Sequence, residues 1–350
     1  MVNIKNLTKS TSISTETQRK EKNITIYNKI NIKTSIVYDT YWKFAAERQK
    51  IFFKRQQLEL RPWTNDPILM NYKFTNAYRA SDRVSQYLIK NVIYNGDYSA
   101  EDTIFRILLF KIFNKIETWE ILNKQLGEII YSDFDPIKYS VVLNKIMNSK
   151  EAIYSAAYIM ASGKSAFGYE RKLDNHLALL DYMMKDNIVN EIINCKSLEN
   201  LYQLLIQYPT IGQFLAFQLA IDINYSEVCN FDEMEFIVPG PGAIAGIHKC
   251  FVSMDRFSET DIINYMAEIQ EDEFKRLNLN FQTLWGRSLQ LIDCQNIFCE
   301  TDKYARIAHP EITIKNGRTR IKQKFYPSEN LTQYFFPPKW GINEHIGEVY

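Results

Sequence analysis

A tight turn within the stretch from Leu201 to Phe251 could hold an anion. In the run YPTIGQF, Pro209 and Gly212 lie between two apolar segments that have helical spacing. We predict that Pro209 ends the first helix and that Gly212 supplies the positive φ that such a turn often needs. Backbone N–H groups at Thr210, Gly212 and Gln213 would then be placed to hold a phosphate.

Two carboxylates follow this turn. Asp232 and Glu233 come about twenty residues after Gly212, and either could deprotonate a reacting group or stabilise a cation. This layout resembles helix-hairpin-helix DNA glycosylases, in which a catalytic aspartate sits at about this distance. Bifunctional members carry a lysine where this sequence has Phe214, so a lysine Schiff-base lyase is not expected. For the turn alone, the alternative is an ordinary helical hairpin in an all-α core.

Four motifs resemble a narrower family. They are YWKFAAERQ (41–49), MASGKSAFGYERK (160–172), VPGPGAIAGIHKCF (238–251) and LQLIDCQNIFCETDKYAR (289–306). They look like the helical domain associated with 5-hydroxymethyl-deoxyuridine (5-hmdU) DNA kinases, and like the related alpha-glutamyl/putrescinyl-thymine pyrophosphorylases. The resemblance covers roughly residues 38–310. It implies an all-α fold, a helix-hairpin-helix DNA-glycosylase-like helical bundle, and a 5-substituted uracil in DNA as the substrate.

Polar residues in and near these motifs are candidates for a pocket. In the last motif, polar groups lie among apolar ones, which indicates either a structural network or a pocket wall. Asp293 in that motif is a third catalytic candidate. The candidate substrate-binding residues are Arg48, Asn76, Tyr78, Lys164, Gln295 and Asn296.

Further residues could contact DNA. Arg79 and Arg83 lie one turn apart on a predicted helix, where they either reach phosphates or pair with carboxylates. The rigid PGPG turn leads into a helix that Gly242 can begin, and its N-terminal amides could hold a second anion with help from Lys249.

The run Gly163-Lys164-Ser165 invites comparison with a nucleotide-binding P-loop. That motif requires a glycine at position 158, where this sequence has Tyr158. We therefore expect no P-loop in this chain and place any 5-hmdU kinase activity in a separate partner. Lys164 either meets a phosphate or belongs to a plain loop between helices.

Composition limits the classes of function. Across 350 residues, 42 Lys and Arg against 41 Asp and Glu leave a net charge of +1, so a DNA-binding surface must come from local clustering. The tail segment TIKNGRTRIKQKF is one such cluster, and it reads either as a basic ribbon against DNA or as a solvated hairpin. Five cysteines without a disulfide or metal spacing indicate reduced thiols in a cytoplasm, bacterial or phage-infected, with no metal. No apolar run reaches the length of a membrane span.

These patterns predict three segments. Residues 1–37 form a flexible arm, residues 38–310 a glycosylase-like helical domain with the helix-hairpin-helix near 201–223, and residues 311–350 a C-terminal extension.

The sequence leaves three functions open. The first is a thymine-hypermodification enzyme, a transferase that acts on a flipped 5-hydroxymethyluracil-type base or its phosphorylated form, with an amino acid or polyamine as co-substrate. The second is a DNA glycosylase that excises a modified base. The third is a non-catalytic DNA-binding module that partners a 5-hmdU kinase. Release of free base separates the second from the first.

Overall fold

The computed structural model describes residues 32–156, 166–315, 317–327 and 333–347. In these ranges the regular secondary structure is helical apart from one two-stranded sheet, which confirms the predicted all-α class. Most of the predicted N-terminal arm lies outside the described residues. Lys164 lies outside them too. Across the described ranges, every helix is too short or too polar to cross a lipid bilayer.

The first half of the described chain contains one long helix and several shorter ones. The α-helices are α1 (Ile36–Gln56), α2 (Pro67–Asn71), α3 (Arg83–Tyr87), α4 (Ala100–Phe113), α5 (Ile116–Leu126) and α6 (Pro136–Asn148). A 3₁₀ turn covers Arg79–Ser81, another covers Tyr131–Asp133, and a π-helical segment covers Leu88–Ile93. Ser99 caps α4 by accepting from the N–H of Asp102, and Gly127 ends α5 with a φ of 85°.

The second half contains the turn and the acidic pair. Its α-helices are α7 (Lys172–Lys185), α8 (Ile188–Asn194), α9 (Leu198–Leu205), α10 (Gln213–Asn224), α11 (Pro241–Cys250), α12 (Glu259–Glu268), α13 (Gln270–Arg276) and α14 (Leu291–Ala308). Two short 3₁₀ turns follow at Pro338–Trp340 and Asn343–His345. His309 is the C-cap of α14.

One small sheet ties the start of the described chain to its middle. Strand β1 (Lys33–Thr34) pairs antiparallel with β2 (Phe251–Ser253), with Thr34 opposite Phe251. The N–H of Ser35 continues this attachment by donating to the carbonyl of Cys250 at 2.8 Å. The start of α1 is thereby held against the end of α11.

The core is organised around two helices. The α14 helix packs against α1, α11 and α12, and the apolar side chains of Leu291, Ile297 and Phe298 are fully buried. The closest approach is at Gly246 of α11, where an added Cβ would lie 2.1 Å from the carbonyl oxygen of Phe298. The α10 helix has apolar residues on every side and is buried from Leu215 to Asn224. A helix without a polar face is stable only when it is buried in the core. Polar residues on α10 therefore require buried partners.

The C-terminal segment also packs onto this body. Phe336 is fully buried, and Lys339 donates to the carbonyl oxygen of Ser226 at 2.7 Å and to that of Cys229. Residues 333–347 thus cover the loop that follows α10.

Candidate functional site

The turn between α9 and α10 is exposed, but its backbone differs from the expectation. The α9 helix ends at Leu205, and Pro209 lies inside the turn rather than at the helix end. Gly212 has a φ of −83° and is the N-cap of α10, whereas Thr210 takes the positive φ of 67°. The prediction that Gly212 supplies the left-handed position was therefore wrong. The N-cap residue Gly212 has no side chain with which to cap α10, and Gly212 and Gln213 are exposed.

The two carboxylates beyond the turn have different environments. Asp232 is exposed, and its Oδ1 accepts from the N–H of Met234 at 2.8 Å. Glu233 is buried, and its Oε1 lies 2.9 Å from Nη2 of Arg287. Burial raises the pKa of Glu233, and the opposing charges of Arg287 and Lys339 only partly offset this. The sequence cannot distinguish the two acids, but only Asp232 presents its carboxylate to solvent.

Arg287 sits at the boundary between this buried acid and solvent. Its guanidinium lies 3.9 Å from the ring centroid of Trp340, and its side chain remains 21% exposed. Its carbonyl oxygen accepts from the hydroxyl of Tyr78 at 2.6 Å, and the same hydroxyl accepts from the N–H of Leu284 at 3.1 Å. Tyr78, a predicted substrate-binding residue, is thus buried and holds the Arg287 loop in place.

Asp293 lies beside this pair at the start of α14. Its Oδ1 accepts from the backbone N–H of Arg79 at 2.8 Å, and its Oδ2 accepts from that of Gln290 at 3.0 Å. Burial raises the pKa of Asp293 to about 7 despite these two hydrogen bonds, and the charge of Glu233 adds to the rise. A carboxyl with such a pKa exchanges a proton near neutral pH.

Arg79 connects this cluster to α10. Its Nη1 lies 2.8 Å from Oδ1 of Asp222 and 3.1 Å from the hydroxyl of Tyr225. Nζ of Lys111 lies 3.1 Å from the other carboxylate oxygen of Asp222. Burial alone would raise the pKa of Asp222, but Arg79 and Lys111 outweigh it and hold this pKa below its ordinary value. Burial lowers the pKa of Lys111 to about 8, against the attraction of Asp222.

A second polar network contains three other predicted substrate-binding residues. Arg48 donates through Nη2 to Oδ1 of Asn76 at 2.9 Å and through Nε to the carbonyl oxygen of Thr75 at 2.9 Å. Nδ2 of Asn296 donates to the carbonyl oxygen of Asn76 at 2.8 Å. Asp82 accepts from the N–H of Asn76, and burial raises its pKa to about 7. The structure brings Arg48, Asn76 and Asn296 together, but it uses their groups to bind one another.

The remaining pocket candidate and the PGPG turn are joined to each other. Oε1 of Gln295 accepts from the N–H of Gly240 at 3.0 Å, and Gly240 rather than Gly242 is the N-cap of α11. Gly242 packs on Cys299, whose Sγ would lie 2.8 Å from an added Cβ. Gln295 therefore fixes the PGPG turn from inside, and the N–H of Gly240 is already satisfied.

Two residues that were predicted to contact DNA are buried. Arg79 is committed to Asp222, and Lys249 is buried with its Nζ 3.0 Å from Oδ1 of Asp302, so neither presents a charge to DNA. Arg83 is exposed and lies 3.8 Å from Glu117, a separation typical of a loose surface pair.

Three charged residues of this site were missed by the sequence reasoning. They are Lys111, Asp222 and Arg287. Lys111 and Asp222 each interrupt an apolar run, ILLFKIF and LAIDIN, and a charge in a helix that is otherwise buried must find a partner. The sequence alone therefore indicates that Lys111 and Asp222 have buried partners. Arg287 had none, because it lies in an irregular loop without periodicity.

The assembled site joins an exposed carboxylate to a buried, charge-balanced cluster. Asp232 can accept a proton or stabilise a cation at the surface, while the partly exposed guanidinium of Arg287 can bind an anion. Among the described residues, no group of three His, Cys, Asp or Glu side chains is arranged to hold a metal ion.

Comparisons with known proteins agree with the sequence motifs. Residues 35–314 match the family model described as the helical domain of 5-hmdU DNA kinase. The chain is 27% identical over 286 residues to a 5-hmdU DNA kinase of Bacillus phage SP10, a match that covers 77% of this chain and 45% of that protein. It is 24% identical over 268 residues to an uncharacterized protein of Acanthamoeba polyphaga mimivirus, covering 73% of this chain and 60% of that protein. The chain thus spans about half the length of the curated relatives it matches. No solved structure matches it.

Proposed function

This chain belongs to the 5-hmdU DNA kinase helical-domain family, and from that premise we propose that it takes part in thymine hypermodification of DNA. In this proposal it engages DNA that carries 5-hydroxymethyluracil or its phosphorylated form. The observation that carries the proposal is the family match over residues 35–314. This range includes the turn, the acidic pair Asp232 and Glu233, and Arg287.

DNA binding through the turn is supported by its exposure. Gly212 and Gln213 are exposed, and the uncapped start of α10 offers N–H groups and the positive end of a helix dipole. Such contacts position the DNA strand without reading its sequence. A base must leave the helical stack before its 5-substituent can be reached, and a strand held at its phosphate keeps that base in place.

The chemistry is assigned to Asp232. Its exposed carboxylate can deprotonate an incoming amine or stabilise a cationic methylene at the 5-position of the base. Glu233 then serves to hold Arg287, whose partly exposed guanidinium can face the phosphate of an activated substituent. The attacking co-substrate in this scheme is an amino acid or a polyamine. Its nitrogen bonds to the 5-methylene carbon as the carbon–oxygen bond to the phosphate breaks, so that phosphate leaves towards Arg287 and the amine proton passes to Asp232.

The kinase step is assigned to a partner. The similarity to a phage 5-hmdU DNA kinase supports a shared process, and the spacing around Lys164 departs from a P-loop. We place this work in the cytoplasm of a phage-infected bacterial cell.

The chemistry is tested by incubating the protein with matched duplexes that carry thymine, 5-hydroxymethyluracil or its phosphorylated form at one position. A candidate amine or amino acid is added, and the nucleosides are measured by mass spectrometry. We expect a mass change on the phosphorylated base alone, because its phosphate can leave, and we expect the loss of that change in Asp232→Asn. Release of free base would assign the chain to the glycosylases instead. Binding without any base change would indicate a non-catalytic module.

The turn is tested by removing a single N–H group. Gly212 has an extended ψ of 170°, which a following proline requires, and proline is tolerated at the first position of a helix. Gln213→Pro should therefore keep the fold and weaken duplex binding. Gln213→Ala, which removes the side chain and keeps the N–H, is the matched control. Equal affinities of the two variants would make the turn purely architectural.

A further inference from the structure

Four cations lie close together after the end of α14. Arg318, Arg320, Lys322 and Lys324 are all exposed, and we refer to them as the basic strip. No acidic residue occurs in the sequence from 312 to 327. Since the whole chain has a net charge of only +1, this segment concentrates positive charge that the rest of the chain balances.

The basic strip is held on the body of the protein. The N–H of Phe325 donates to the carbonyl oxygen of Asn71 at 3.0 Å, and the N–H of Lys73 donates to that of Gln323 at 3.1 Å. The carbonyl oxygen of Arg320 accepts from Arg306 at 3.2 Å, and the half-buried Ile321 packs against the core. Backbone and apolar contacts thus fix the segment, and its charged side chains remain at the surface.

Spacing and neighbours fit a nucleic-acid backbone. The four cations occupy alternate positions, which repeat at about 7 Å where a segment is extended. That distance is about two phosphate steps along the axis of one DNA strand. Tyr72 lies beneath Lys324, with Nζ 4.2 Å from the ring centroid, and Tyr326 beside it is 81% exposed.

We propose that the basic strip is a second DNA-contact surface, which binds the phosphate backbone of duplex DNA irrespective of the base. It begins beyond residue 314, where the family match ends, so the inference comes from this chain's own residues. It rests on the proposed function only in taking DNA as the polyanion. With the turn before α10, it provides a second attachment to the duplex.

The test compares two variants that lose the same charge. The strip variant carries Arg318→Gln, Arg320→Gln, Lys322→Gln and Lys324→Gln. The control variant carries Lys124→Gln, Lys138→Gln, Lys145→Gln and Lys150→Gln, which are exposed lysines on and after α5 and α6. Affinity for an unmodified duplex is measured by fluorescence anisotropy from about 50 to 200 mM salt. Thermal melts show whether both variants remain folded.

We expect the strip variant to bind at least about tenfold more weakly. The slope of its log affinity against log salt concentration should become shallower by roughly 3.6, since each of the four lost phosphate contacts contributes about 0.9. The control variant should bind like the wild type. Equal affinities and slopes for the two variants would overturn the proposal, and so would a wild-type chain that fails to bind duplex DNA. Tighter binding to an RNA duplex of the same sequence would assign the strip to RNA. The strip variant should keep the wild-type preference for duplexes that carry 5-hydroxymethyluracil. A wild-type chain without that preference would contradict the proposed function and would leave the basic strip as a DNA contact.

Discussion

The backbone N–H of Arg79 donates to Oδ1 of Asp293 at 2.8 Å, while the guanidinium of the same arginine binds Asp222. One residue therefore joins the start of α14 to the C-terminal end of α10, the helix that begins at the exposed turn. Both carboxylates are buried, so the free energy of each contact depends on the other partners staying in place. A displacement of α10 would consequently change the surroundings of Asp293 and of Glu233 beside it.

The pKa of Asp293 predicts a pH dependence of stability. Its carboxyl has a pKa of about 7 in the folded state against an ordinary value of 3.8, so the folded chain binds the proton more tightly than the unfolded chain. Between these values the contribution of Asp293 to the unfolding free energy falls as pH rises, by at most about 1.4 kcal/mol per pH unit. Denaturation from pH 4 to 8 should show a smaller fall in Asp293→Asn than in the wild type. Parallel pH profiles would contradict the assignment.

Loss of Lys111 should be costly. Lys111→Met keeps a long side chain but leaves Asp222 with less positive charge in a buried site. We expect the free energy of unfolding to fall by roughly 3 kcal/mol, as when one partner of a buried ion pair is removed. Lys145→Met, at an exposed position of α6, is the control and should change stability little. Urea denaturation gives both values, and a similar stability for the two variants would count against the network.

The two adjacent acids should separate into two roles. Asp232→Asn can still accept from the N–H of Met234, so the fold should be kept while turnover falls at least about 100-fold. Glu233→Gln leaves Arg287 without its ionic partner, so stability should fall by about 2 kcal/mol, which allows for the partial exposure of Arg287. Turnover assays and thermal melts on both variants measure this. The reverse pattern, with Asp232→Asn unstable and active, would refute the division.

Two glycines provide a matched test of packing. A Cβ at Gly246 would lie 2.1 Å from the carbonyl oxygen of Phe298, whereas one at Gly212 would meet nothing within 4 Å. Gly246→Ala should therefore force α11 and α14 apart and cost at least about 3 kcal/mol. Gly212→Ala should change stability by less than about 0.5 kcal/mol, since its φ of −83° suits any residue. Comparable melting temperatures for the two variants would show that the helix crossing is looser than described.

Local pattern was enough to predict the helical class and the two helices on either side of the turn. Apolar spacing and helix breakers act within a few residues, so they can be read without knowing the packing.

Only the tertiary structure decided which charges face inward. Arg79 and Lys249 look like surface cations in sequence, and each is buried because an aspartate far along the chain lies opposite, Asp222 in one case and Asp302 in the other. Thr210 rather than Gly212 takes the positive φ, because the path of the turn is set by how α9 and α10 pack together. The difference between Asp232 and Glu233 arises in the same way, since a neighbouring loop brings Arg287 to only one of them. Residue type and spacing name the groups that can ionise, but burial and long-range pairing determine which of them remain available for chemistry.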